Sequence, residues 1–155
     1  MPPEVDLEQN FELGPYLTAA LICERVLQEA DGVHSAIRIM DRIIHTVLDI
    51  DPPRQMAPFV YEIEILVMLK SGENPGMFKL SIQPVKPSNE RMPPANYTLN
   101  LEAPADRGMN VRARVKVSFD EPGLWWFDIL LNDKKITRIP LRVMYQPQQL
   151  QRQGL

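Results

Sequence analysis

Apolar and polar residues alternate with period two along much of this chain, the spacing of strands that bury one face. Residues 111–117 are the clearest case. Val111, Ala113, Val115 and Val117 fall on one side, and Arg112, Arg114 and Lys116 on the other. Residues 77–85 repeat the pattern, with Phe78, Leu80 and Ile82 set against Lys79, Ser81 and Gln83. In residues 59–70, Phe59, Tyr61, Ile63, Ile65, Val67 and Leu69 share a face opposite Glu62 and Glu64. A shorter strand is expected at 97–101. Residues 17–27 would also fit a helix through Leu17, Ala20, Leu21, Glu24 and Leu27, but are taken as a strand. Asp31-Gly32 supplies a turn before the β-branched run 33–48, so these two segments form a hairpin.

The last pair of strands lies within residues 123–143, which hold both tryptophans. Its register is argued from side-chain chemistry, because a slip of one residue exchanges core and solvent faces. A turn at Asp133-Lys134 would oppose Ile129 to Arg138. A loop of Asp133, Lys134 and Lys135 instead opposes Ile129 to Ile139, Phe127 to Leu141 and Trp125 to Val143, which makes one coherent core face. The other face then pairs Leu130 with Arg138, Asp128 with Pro140 and Trp126 with Arg142. Trp126, Asp128, Arg138 and Arg142 therefore form the candidate binding surface, since Trp and Arg are the side chains that most often dominate interfaces. Cation–π contact and exposed ion pairs could also order this patch without any ligand, at about 0.5–1 kcal/mol each.

About eight short strands separated by polar breaks, with prolines falling between them, describe an all-β antiparallel β-sandwich with little helix, immunoglobulin-like or jelly-roll-like. No βαβ rhythm or fixed-period repeat is present. The domain is expected at 17–145. An acidic, proline-containing arm, 1–16, precedes it, and a Gln-rich tail, 146–155, follows.

Composition narrows the function classes. A net charge of −3 lacks the basic field that nucleic acid or an anionic membrane would require. The N-terminal residues do not form a signal peptide, and no stretch is long and apolar enough to span a bilayer, so a cytoplasmic protein is expected. Cys23 is the single cysteine, which excludes an intramolecular disulfide, and a buried apolar role is expected for it. His34 and His45 sit an odd number of residues apart on one expected strand, pointing to opposite faces. No metal, cofactor or catalytic set is assigned. Glu24 and Asp41 are expected to form cross-strand ion pairs with Arg25, Arg38 and Arg42, and the 112–116 stripe to be a solvated strand face. The loops 51–58, 86–96 and 120–123 should gather at one end of the sandwich.

Residues 19–32, Ala-Ala-Leu-Ile-Cys-Glu-Arg-Val-Leu-Gln-Glu-Ala-Asp-Gly, followed by Ser-Ala-Ile-Arg-Ile at 35–39, resemble the N-terminal signature of a family of small uncharacterised bacterial proteins. Trp-Trp-Phe-Asp at 125–128 and Thr-Arg-Ile-Pro-Leu-Arg-Val at 137–143 resemble its C-terminal signature. The resemblance implies a bacterial β-rich domain of unknown function and assigns no site residues. The expected function is non-enzymatic: a module that binds another macromolecule, its partner a protein. The alternative is a small-ligand or carbohydrate module that stacks its ligand on Trp126. Oligomeric state is open, although two sheets leave edges that a dimer could cover.

Overall fold

The computed structural model describes residues 11–152; residues 1–10, which make up most of the expected acidic arm, and residues 153–155 lie outside the described residues. The described chain forms nine strands and no helix: β1 (Tyr16–Gln28), β2 (His34–Ile39), β3 (Arg42–Asp49), β4 (Phe59–Lys70), β5 (Gly76–Val85), β6 (Ala95–Leu101), β7 (Gly108–Phe119), β8 (Gly123–Leu131) and β9 (Lys134–Gln149). They build a sandwich. One sheet has the order β2-β1-β4-β7 and the other β3-β9-β8-β5-β6. Every pairing is antiparallel except β3 with β9, which is parallel.

The inward faces are those the alternation predicts. Ile63, Ile65, Val67 and Leu69 of β4 meet Phe127, Ile129 and Leu131 of β8, all essentially without solvent exposure. Burial of each such side chain contributes roughly 1.5–3 kcal/mol. Trp125 lies in the same core. It packs edge-on against Phe119 at 4.9 Å, and its Nε1–H donates to the Glu121 carbonyl at 2.9 Å, so the indole is dry without leaving its donor unpaired.

Prolines inside the second sheet occupy positions where no ladder bond is required. Arg142 N–H donates to Asp41 O, and Leu150 N–H to Asp49 O. The even-numbered backbone groups of β9 therefore point at β3 and the odd-numbered ones at β8. Pro140 precedes the first residue paired with β3, and Pro147 lies past the last one paired with β8, so neither missing N–H breaks a ladder.

Four features differ from the sequence expectation. The run 33–48 is not one strand: it breaks at Met40-Asp41, leaving β2 in one sheet and β3 in the other. His34 and His45 accordingly sit on different sheets. Second, β9 continues to Gln149, so residues 146–149, expected in the tail, are strand; they pair by backbone with Thr46–Asp49, which polar side chains do not prevent. Third, residues 11–16 do not stand apart from the domain. Gly14 and Pro15 are buried, Leu13 O accepts Glu73 N–H, and β1 starts at Tyr16.

The fourth is the terminal register. Asn132 and Asp133 adopt φ of 46° and 66°, forming a two-residue turn that sets Leu131 opposite Lys134. Asn132 is pinned to β5: its N–H donates to Lys79 O, and its Oδ1 accepts Lys79 N–H, both at 2.8 Å. Ile136 is then left as an extra residue between the pairs Leu130–Lys135 and Ile129–Thr137. Beyond that bulge Phe127 pairs with Ile139, Trp125 with Leu141, Trp126 with Pro140 and Asp128 with Arg138. The core and solvent faces are as expected, but each partner lies two residues earlier in β9.

Candidate functional site

The four residues singled out from the sequence lie on the outer face of the five-stranded sheet. Asp128 and Arg138 are direct cross-strand neighbours, and Arg138 Nε reaches Asp128 Oδ1 at 2.9 Å. Lys135 Nζ holds the second oxygen at 3.1 Å, so a carboxylate with 3% side-chain exposure is matched by two cations that still touch water. From this anchor the Arg138 guanidinium lies over the half-exposed Trp126 ring, 4.4 Å from its centroid. Such a contact contributes about 0.5–1 kcal/mol at an exposed site.

Arg142 does not join this cluster. The expected Trp126–Arg142 pair is replaced by Trp126–Pro140, and Arg142 sits across from Leu124 on one side and Arg42 of β3 on the other. The two arginines are lateral neighbours on one exposed face. Arg42 Nε pairs with Asp41 at 3.1 Å, whereas no carboxylate among the described residues pairs with Arg142. The face thus runs from Trp126 and Arg138 through Arg142 to Arg42.

At that last residue the face meets a cleft of about 420 Å³, open where the chain passes from β2 to β3 and lined by Glu24, Arg38, Met40, Arg42, Ile43 and Tyr61. Its charges are neutralised in pairs: Arg38 Nε lies 2.6 Å from Glu24 Oε2, and Arg42 is held by Asp41. The first is a cross-strand pair of the kind expected from sequence, whereas the second joins neighbours in the chain. Arg38 has φ of 54°, a left-handed conformation that turns the chain toward the second sheet.

A second cluster was not anticipated. Glu64 was expected with Glu62 on the face opposite the apolar one, and only 4% of it is exposed. The β1–β2 hairpin folds across the outer face of the four-stranded sheet, bringing Val26 O to Arg112 Nη1 at 3.3 Å and His34 Nδ1 to Asn110 Nδ2 at 3.2 Å. Cys23, Val26 and Leu66 form a small apolar cluster beneath it. β1 stops pairing with β4 at Cys23, and the Glu64 carboxylate takes the Val26 N–H in place of a strand partner. Arg114 Nε and Nη2 donate to its other oxygen at 3.2 Å each, with Arg112 Nε at 3.7 Å. Burial pushes the Glu64 pKa up, but the Val26 and Arg114 hydrogen bonds and the charges of both arginines outweigh it and hold the group below its ordinary value. The 112–116 stripe is thus partly structural. Cys23 is buried as expected; desolvation, then the Glu64 charge, raises its thiol pKa against a hydrogen bond from the Arg25 backbone.

At one end of the sandwich the loops approach one another. Lys86 Nζ reaches Asp120 at 2.6 Å, and Ser88 N–H donates to Glu121 Oε1 at 2.8 Å. At the same end, Tyr145 Oη donates to Pro53 O, and His45 stacks on Phe59 at 4.0 Å. His45 shares strand parity with buried Ile43, a signal that would have placed it on the inner side. Among the described residues, no cluster of three or more His, Cys, Asp or Glu side chains is arranged to hold a metal ion.

Residues 18–144 match the family of unknown function DUF6941. The chain belongs to that family. The match spans the sandwich from β1 into β9 and includes all four candidate surface residues. A search of curated proteins finds no match.

Proposed function

We propose that this family member is a non-enzymatic interaction module that binds an acidic surface of another protein through the outer face of its five-stranded sheet. Arg142 carries the reading. On a chain of net charge −3 it lies beside Arg42 on an exposed face, without a counter-ion among the described residues. Like charges side by side repel, and an incoming carboxylate would relieve that repulsion. Trp126 and Arg138 extend the face with the residue types that most often supply binding energy, pre-ordered by buried Asp128.

The small-ligand or carbohydrate reading has less support, because Arg138 occupies the ring face of Trp126 on which a sugar would stack. The non-enzymatic reading rests on the pairwise neutralisation of charge in the cleft at the β2–β3 passage. A cytoplasmic setting rests on the single, unbridged Cys23.

Affinity capture from the source cells with wild type, Arg142→Glu and Lys116→Glu as baits tests the proposal, Lys116 being exposed on the opposite sheet. The expected result is a specific protein retained by wild type and Lys116→Glu, lost from Arg142→Glu and released by added salt. Equal recovery on Arg142→Glu, or no specific protein on wild type, would overturn it.

A further inference from the structure

The sequence explains why β1 leaves β4 at Cys23. Ile22 lies opposite Ile65 in the core and Cys23 opposite Glu64 on the outer side, so one more step of the ladder would set Glu24 against fully buried Ile63. A carboxylate in that position would lose its water without gaining a partner. The chain instead lifts away, and residues 24–39 form a hairpin in which only Val26 is buried. Internal bonds make the hairpin a unit. Glu29 N–H donates to Val33 O at 2.7 Å, Ser35 Oγ to Glu29 Oε1 at 2.8 Å, and Arg38 Nε to Glu24 Oε2 at 2.6 Å.

Both legs of the hairpin are tied down at one place. Met40 N–H donates to Ile22 O at 3.0 Å, and the next residue, Asp41, accepts Arg142 N–H at 2.9 Å. Beyond these anchors the hairpin is held to the sandwich by Val26 N–H on Glu64, by Arg112 Nη1 on Val26 O at 3.3 Å and by the His34–Asn110 contact at 3.2 Å. The apolar cluster of Cys23, Val26 and Leu66 beneath it is separate from the main core. None of these ties belongs to a strand ladder, so releasing them leaves the pairing of β1 with β2 and with β4 in place. We infer that residues 24–39 are a flap that swings open about Ile22 and Met40 while both sheets stay intact, with Glu64 as its latch. Segments with few buried side chains open at lower free energy than the core. Opening withdraws Val26 from the Glu64 carboxylate, which keeps Arg114, and uncovers Leu66 and the Cys23 thiol. The closed flap thus hides an apolar and acidic surface of the four-stranded sheet. It lies on the sheet opposite the one proposed to bind a partner and does not depend on that reading.

Hydrogen exchange of the full chain by NMR, with urea added below the unfolding transition, tests the inference alongside alkylation of Cys23. Val26 N–H, bonded to Glu64 rather than to a strand, and the Cys23 thiol should report one and the same opening. That open state should be at least about a hundredfold more populated than the states that expose the amides of β4 and β8. It should respond little to urea, because a swinging flap exposes little surface, whereas β4 and β8 should follow the slope of global unfolding. Glu64→Gln and Arg112→Gln should each raise the open population at least about tenfold. Lys116→Gln should leave it unchanged, since Lys116 reaches Glu62 and not the hairpin. Val26 and Cys23 opening only with the urea slope of β4 and β8, reporting different openings, staying unmoved in both latch variants, or moving equally in Lys116→Gln would each overturn the proposal.

Discussion

Replacing Glu64 with Gln removes one negative charge from beneath the β1–β2 hairpin while keeping the shape. The carboxylate accepts the Val26 N–H and two N–H groups of Arg114, with Arg112 close by. A hydrogen bond to a charged group contributes about 1.5–3 kcal/mol, and breaking a fully buried pair costs about 3–5 kcal/mol. Here the arginine side chains keep 57% and 41% exposure, so water can re-solvate them. The lower range applies, and Glu64→Gln should cost about 1.5–3 kcal/mol. At roughly 2–4 °C per kcal/mol for a chain of this size, the melting temperature should fall by about 3–12 °C. Urea unfolding followed by emission of the buried Trp125 gives the free energy directly. The pH dependence supplies a second readout. The folded pKa of Glu64 lies below the unfolded value of about 4.3, so its contribution is complete above that value and is lost as pH falls through the folded pKa. The gap between wild type and variant should therefore be constant near neutrality and close in acid. A loss under about 0.5 kcal/mol, or a gap that persists unchanged in strong acid, would refute the ionic account of this cluster.

Two other substitutions probe the scaffold. A Cβ on Gly108 would lie 1.7 Å from Leu69 O, so Gly108→Ala forces β7 away from β4 and should cost at least about 1–3 kcal/mol by urea unfolding; a neutral result would contradict that close approach. The Cys23 thiol, buried and raised in pKa, should react with an alkylating reagent only as fast as the hairpin or the whole domain opens, measured by mass spectrometry with and without urea. Native labelling as fast as in urea would show that the hairpin does not cover it.

The regular strands were legible because burial on one face writes a two-residue period into the sequence. β5 and β7 lie where alternation puts them, and the same parity puts Trp125 inside and Trp126 outside. The switch between sheets was hidden because the run 33–48 contains neither glycine nor proline; Arg38 accommodates the turn by adopting a positive φ itself. The terminal register failed by two residues because side-chain matching gave no weight to Asn132, whose backbone conformation and bonds to Lys79 fix the turn. That error moved the arginine over Trp126 from Arg142 to Arg138 and left Arg142 beside Arg42. Alternation also cannot see a hairpin folded over an outer face. Arg112 and Arg114 around Glu64 were the available sign that its charge needed partners.

The proposed binding role requires that the outer face around Arg142 meet another protein. A photo-cross-linking residue in place of half-exposed Leu124, the cross-strand neighbour of Arg142 away from the β3 edge, tests this directly in the source cells. A dominant adduct with one protein from position 124, absent when Val60 on the opposite sheet carries the probe and abolished by Arg142→Glu, is the predicted result. No adduct from position 124, or the same adduct from both positions, would contradict it.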